Sequence, residues 1–490
     1  MMQRAAGILL HPSSLPGPHG IGTLGRTAQA WIDTLAGAGV RYWQLLPLGP
    51  TGLGHSPYQC FSAFAGNPLL IDPDLLAEAG LLTAGEAAPE ASDPSKVDYD
   101  AVIARRTAQL RRAFARFTPS AAYERFRQKH ADWLDDYALF MALLARFDFR
   151  EWTAWPEEVR LRDPETLAHY AAELARETDY HRFVQFCFFG QWEALKSYAE
   201  AKGVGIIGDL PIYVAMNSAD VWAHPEFFQL GAALRPTHVA GVPPDYFSAT
   251  GQRWGNPLFD WKRLEKEDFS WWVKRLEATL HLYDWVRIDH FRGFEAYWSI
   301  PAAEKTAVNG EWVKGPDRKL FDAFEKALGK GLPIIAEDLG IITPEVEKLR
   351  DDYGLPGMKI LQFAFAGDAS NPYLPHNHIR DCVVYTGTHD NDTTNGWFYA
   401  APPQEPERAH TLRYLNCRWE EFHKTFNRTA LASPAVLAVL PLQDLLGLGG
   451  DARMNIPGTV EGNWTWRVTQ AQLESAPFAE LRELCALYGR

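Results

Sequence analysis

Three carboxylates stand at the ends of three short apolar runs: Asp289 in VRIDHF, Glu337 in PIIAEDLG and Asp390 in YTGTHDND. Runs of this length and composition fill buried parallel strands, so each acid is placed where a strand ends and its loop begins. In a barrel of parallel strands that edge carries the catalytic groups. Two carboxyls are the minimum for breaking an acetal through an oxocarbenium-like transition state: one protonates the leaving oxygen and one faces the anomeric carbon. Arg287 lies two residues before Asp289, so on a strand both side chains share a face. The guanidinium is expected to keep that carboxylate ionised at neutral pH, as a nucleophile must be. Glu337 and Asp338 are neighbours and project oppositely; Glu337 is read as the acid and Asp338 as a cap or loop bridge. Asp209, in GDLPIYV, is a fourth acidic strand end. Taken singly, an RxD pair is more often a structural ion pair, THDND a turn closed by Asx bonds, and Asp209 a cap. Four acidic strand ends together are hard to explain as four independent caps.

The elements that would position these groups can be read from the same pattern. Eight apolar runs end in polar or Gly/Pro-rich segments: GILLHP, YWQLLPLG, VGIIGDLP, DWVRIDH, LPIIAED, MKILQFAF, CVVYTGTHD and AVLAVLPLQD. Amphipathic helical stretches at 26–39 and 344–354 fall between such runs, and alternation of this kind predicts a parallel sheet. The expected fold is therefore α/β, a (β/α)8 TIM barrel forming one catalytic unit over residues 1–490. Spacing between runs is uneven, which predicts large, mainly helical insertions at about 70–200 and 213–283, with a further one at 391–432. No separate β-domain is expected after the last run.

Composition narrows the function classes. The chain has 490 residues, a net charge of −13 and Lys and Arg scattered among acids, which disfavours nucleic acid and anionic membranes as partners. No run approaches the roughly 18 apolar residues of a membrane span, and AGILLHP is too short for a secretory leader. Five cysteines are far apart and form no ligand spacing, so a reducing cytoplasm with free thiols is expected. GIGTLG formally matches a dinucleotide fingerprint. It stands well away from the preceding strand, and the second strand lacks the acidic residue that would hold a ribose, so a plain glycine-rich loop is expected. HExxH, P-loop, GxSxG and zinc-ribbon spacings do not occur, and acetal chemistry requires neither metal nor organic cofactor. NxS/T triplets at Asn391, Asn427 and Asn463 are read as chance matches.

With these residues assembled, the chain closely resembles the 4-α-glucanotransferases, the amylomaltase or disproportionating-enzyme family of the α-amylase superfamily. GDLPIYV, VRIDHFRGF, IIAEDLG and TGTHDND carry the superfamily resemblance. LLHPSSLPGPHGIGTLG, GHSPYQCFSAFAGNPLLID, GVPPDYFSATGQRWGNPL and MNIPGTVEGNWTWR carry the narrower one, over essentially the whole length. The resemblance implies Asp289 as nucleophile, Glu337 as acid and then base, and Asp390 as the third carboxylate, which stabilises the distorted donor sugar. Tyr58, as a stacking platform, with Asp209, Arg287, His389, Ser56 and Asn463 would contact substrate. The segment 246–257, with Ser248, Gln252 and Trp254, resembles a lid over the glucan. The implied donors are α-1,4-glucans and maltooligosaccharides, and the implied acceptors are glucans or glucose; a long glucan could also close on itself. An α-glucan hydrolase would use the same carboxylates and differ only in access of water. A noncatalytic glucan-binding protein is a third reading, and the intact acids argue against it.

Overall fold

All eight runs close into one parallel sheet. In the computed structural model, which describes residues 2–244, 248–402 and 405–490, the strands in chain order are β1 (Ala5–Leu9), β2 (Tyr42–Gln44), β3 (Gly205–Pro211), β4 (His238–Val242), β5 (Gln252–Pro257), β6 (Trp285–Asp289), β7 (Ala296–Pro301), β8 (Glu311–Lys314), β9 (Ile334–Ala336), β10 (Gly357–Ile360), β11 (Cys382–Tyr385) and β12 (Leu437–Pro441). Eight of them run in the order β10-β11-β12-β1-β2-β3-β6-β9, all parallel. The Ala336 N–H donates to Pro356 O at 2.9 Å across the remaining seam, which closes the barrel. Ile8, Trp43, Ile207, Ile288, Ile335, Met358, Val383 and Val439 are buried on these strands, as the near-continuous apolar runs require of a sheet covered on both sides.

Helices Arg26–Gly37, Ala175–Ala201, Ser270–Leu282, Arg318–Leu328, Pro344–Asp352, Phe422–Ala432 and Phe478–Leu487 pack outside. The first buries Ala28, Trp31, Ile32 and Leu35, a single stripe at helical spacing. The crossover from β10 to β11 has no α-helix, only the 3-10 turns Leu361–Phe363 and Pro375–Asn377. Its sequence, AGDASNPYLPHN, explains this, because two prolines and a glycine with few apolar positions leave no stripe to bury.

Between β2 and β3 lie the helices Tyr99–Arg116, Ala121–Lys129, Leu134–Arg146 and Pro164–Glu173, and Asp98, Ser120 and Asp163 cap the first, second and fourth of them. Besides these helices there is a four-stranded antiparallel sheet, β5-β4-β7-β8, that the apolar runs did not foretell. Two of its strands come from the segment after β3 and two from the segment after β6. The glycine-rich stretch is indeed a loop. A Cβ on Gly25 would lie 1.9 Å from Asp72 Oδ2, and the Thr23 hydroxyl donates to that same oxygen at 2.5 Å. A carboxylate thus occupies the start of helix Arg26–Gly37, where a dinucleotide fold would seat phosphate. After β12 the described residues form helices and loops, with one isolated bridge between Lys96 and Trp466. All five cysteines are free. Among the described residues no helix is long and apolar enough to cross a membrane.

Asp338 shows how a strand end is fixed. It accepts from the Met358 N–H at 2.6 Å and pairs with Arg350, tying β9 to β10 behind Glu337. A Cβ on Gly357 would lie 2.3 Å from Asp338 Oδ2. Gly357→Ala is therefore expected to cost about 1–3 kcal/mol by overpacking. Denaturant unfolding of the variant beside the parent protein checks this, and an unchanged midpoint would contradict it.

Candidate active site

Neighbouring strands set Asp209 and Arg287 side by side, because the β3–β6 register pairs these two Cα atoms and pairs Pro211 with Asp289. From that position the Arg287 guanidinium reaches across to Asp209 Oδ2 at 2.7 Å and along its own strand to Asp289 Oδ1 at 2.8 Å. The Tyr58 hydroxyl donates to the same Asp209 oxygen at 2.6 Å. Arg287 and Asp209 are buried, whereas the Asp289 side chain keeps 28% of its surface exposed toward the mouth. Asp209 Oδ1 is buried without a partner among the described residues.

Glu337 is held by backbone alone. The N–H of His290 donates to Oε2 at 2.6 Å and that of Leu339 to Oε1 at 2.9 Å. His290, the residue after β6, has φ 54°, a left-handed conformation uncommon for a residue other than glycine, and its N–H is the one that meets Glu337. Burial pushes the Glu337 carboxyl up to about 8, with Arg287 opposing and the charge of Asp289 adding to the rise. Burial pushes Asp289 up to about 6 against the pull of Arg287, with Asp209 and Asp390 adding repulsion, so the guanidinium limits the rise rather than producing a fall. Asp289 is still mostly ionised and Glu337 mostly protonated at neutral pH.

Asp390 is steadied by groups distant in sequence. Asn455 Nδ2 donates to its Oδ1 at 2.6 Å, Arg453 donates to its carbonyl at 2.7 Å, and His389 Nε2 lies 3.4 Å from Oδ2. Tyr58 stacks on His389 with ring centroids 5.2 Å apart, and Trp464 tilts against both rings. Behind them, buried Asp444 accepts from the Thr386 hydroxyl at 2.6 Å and the Thr394 N–H at 2.7 Å, gripping the loop on either side of Asp390.

Tyr58, Asp209, Arg287, Asp289, His389 and Asp390 thus form one connected group. Glu337 joins through His290, against whose ring Trp254 stands edge-on at 4.8 Å. Trp254 also donates to Gln252 Oε1 at 3.2 Å. Ser56 supports Tyr58 by accepting its N–H at 3.2 Å, and the Ser248 hydroxyl bonds Gly251 O at 2.8 Å. Tyr246 and Phe247, part of the segment read as a lid, lie outside the described residues. Asn463 turns inward: its amide accepts from the Ile456 N–H and donates to Thr459 O and Oγ1, which ties the 456–463 loop together. Asn455, Arg453, Asp444, His290 and Trp464 were not singled out by the sequence. Only membership of quoted motifs marked four of them, with no spacing rule to give a role. Among the described residues, one group of His, Asp, Glu or Cys side chains is close enough to share a cation: His19, Asp72 and Asp74. It lies outside this site, and Asp72 already accepts from Thr23 and from the N–H groups of Asp74 and Leu75.

A family model described as 4-alpha-glucanotransferase matches residues 10–472. A 4-alpha-glucanotransferase of Thermus thermophilus is 52% identical over 99% of this chain and 98% of its own length. One from Synechocystis is 51% identical over 100% and 98%. An amylomaltase from Streptococcus agalactiae, solved in complex with acarbose, superposes with a TM-score of 0.96 at 40% identity, covering 100% of both chains.

Removing the shared cation should have a pH signature. Arg287→Met leaves buried Asp209 and half-buried Asp289 without their cation, at an expected cost of about 3–5 kcal/mol. Burial already raises Asp289 above its unfolded value, and without the opposing guanidinium its folded pKa rises further. The penalty is therefore absent below the unfolded value, grows as pH rises, and is complete above the folded value. Denaturant unfolding is expected to show a wider gap from the parent protein at pH 8 than at pH 5; equal gaps would contradict this account.

Proposed function

The chain belongs to the 4-alpha-glucanotransferase family, and on that premise we propose the roles of its residues in moving α-1,4-glucan segments from a donor to the 4-hydroxyl of another glucan or of glucose. The protonated Glu337 carboxyl gives its proton to the leaving 4-oxygen while an Asp289 oxygen bonds to the anomeric carbon and the reducing-side glucan departs. The acceptor then enters. Ionised Glu337 takes the proton from its 4-hydroxyl, that oxygen attacks the anomeric carbon, and Asp289 is released as carboxylate. Two inversions keep the α configuration. Positive charge developing on the donor sugar faces Asp289 and Asp390, whose orientations Arg287 and Asn455 fix beforehand. Tyr58 and His389 offer a stacked aromatic surface beside them.

Transfer in place of hydrolysis requires an acceptor held in line and water kept out. Trp254 and Gln252, set against His290 next to the acid, supply a wall for that purpose. When the acceptor is the far end of the same chain, the product is a cycle. No organic cofactor enters these steps. The five free thiols suit a reducing cytoplasm.

The arrangement that carries this reading is Asp289 held by Arg287 and Glu337 held by two backbone N–H groups at adjacent strand ends, with burial pushing Asp289 up to about 6 and Glu337 to about 8. It leads to a bell-shaped kcat/KM. Activity is expected to rise through about pH 6 as Asp289 ionises and to fall past about pH 8 as Glu337 loses its proton; a flat profile across that interval would exclude these assignments. The reaction itself is tested by incubating the protein with maltotriose. A ladder of shorter and longer maltooligosaccharides plus glucose, with total reducing ends constant, is expected. Rising reducing ends with only shorter products would make the enzyme a hydrolase.

A further inference from the structure

A recess of about 310 Å³ lies away from the catalytic acids, between the helices Leu134–Arg146, Ala219–Ala223 and Ser270–Leu282. Its apolar wall is Phe64 with Trp133 stacked at 6.2 Å and Trp271 edge-on at 6.0 Å. Trp271 is buried, and its indole N–H has no hydrogen-bond partner among the described residues. Asp220, also buried, accepts from the Ala63 N–H at 2.8 Å.

Three of the four rim carboxylates already have cations. Asp136 pairs with Arg162 at 2.6 Å, Glu267 with Arg263 at 2.6 Å and Asp132 with Lys274 at 3.9 Å, and Glu226 lies 3.5 Å from the His224 ring. Neutralised in this way, the rim is a poor trap for an organic cation. Each carboxylate nevertheless keeps acceptor lone pairs, and its partner limits where they point. Flat aromatic faces, oriented acceptors and a free indole donor together match a neutral ring bearing many hydroxyls. The volume stands at the lower end of the range of about 300–1,000 Å³ usual for small-ligand sites, as suits one or two sugar rings.

We propose that this recess is a second sugar site, taking a neutral mono- or disaccharide independently of the catalytic cluster. Ser62 and Phe64 form the partition between it and a second hollow that reaches Tyr58 and Asp209, so the two sites are neighbours through a wall and not one cleft.

The probe is maltose, titrated calorimetrically into Asp289→Asn protein, which binds without turnover. Two sites per chain are expected. Ser270 is exposed on the rim, and Ser270→Trp in the same background should leave one site. Glu267→Ala should weaken one site by about tenfold or more and spare the other, as loss of a single charged acceptor would. Ser270→Trp in the otherwise unaltered enzyme should still redistribute maltotriose, which establishes that it folds. A single site in the Asp289→Asn protein, or two sites of unchanged affinity in both rim variants, would overturn the proposal. Failure of the parent enzyme to redistribute maltotriose would instead overturn the transfer reaction and leave the two-site result standing.

Discussion

One guanidinium buried between two carboxylates governs this molecule. An unpaired carboxylate at the depth of Asp209 would cost about 3–5 kcal/mol, a large share of the stability of a domain, and Arg287 removes that cost by reaching it. It does so because parallel pairing of β3 and β6 puts Asp209 and Arg287 in register. The same side chain then meets Asp289 two residues along. Two carboxylates and one cation leave an excess of negative charge, and that excess points at the mouth of the barrel through the partly exposed Asp289. A fold has little reason to keep uncompensated charge there. A reaction whose transition state is cationic does, since fixed negative charge in a dry pocket stabilises it without further reorganisation.

Each of the three acids proposed to take part in the reaction has a restraint from groups given no chemical role in it. Arg287 holds Asp289, the backbone of His290 and Leu339 holds Glu337, and Asn455 holds Asp390. Those restraints are themselves secured, through Asp338 against Met358 and Arg350 and through Asp444 against Thr386 and Thr394. Asp338 and Glu337 are adjacent and use opposite faces of one strand end, one for architecture and one for the proposed reaction. The barrel therefore places a strand end to within a residue, and buried hydrogen bonds complete the orientation.

How far this was legible in the sequence depended on what each feature requires. Fully buried strands need uninterrupted apolar runs, so all eight barrel strands announced themselves, and their polar ends carried Asp209, Asp289, Glu337 and Asp390. The sheet formed by β4, β5, β7 and β8 did not, because strands such as QRWGNP and EWVK are half exposed and mix charge with aromatic residues. The helix missing between β10 and β11 is visible only once the prolines there are given more weight than the barrel rule. Spacing placed Arg287 beside Asp289, yet it carried no information on burial, which decides the direction of the shift. Asn455 and Asp390 are 65 residues apart, and nothing local to either predicts that they touch.

The coupling between the two central acids has a consequence for the proposed cycle. Part of what raises Glu337 is the charge on Asp289, while Arg287 pulls the other way. When Asp289 becomes an ester of the donor sugar, that charge disappears and the guanidinium remains. The carboxyl of Glu337 must then fall in pKa after glycosylation, at the stage where it has given up its proton and has to act as a base toward the acceptor. When Asp289 is released the repulsion returns, and Glu337 again prefers the protonated form. A single pair of neighbouring carboxylates, one of them covalently silenced for half of the cycle, is enough to switch the other between acid and base without any movement of the backbone.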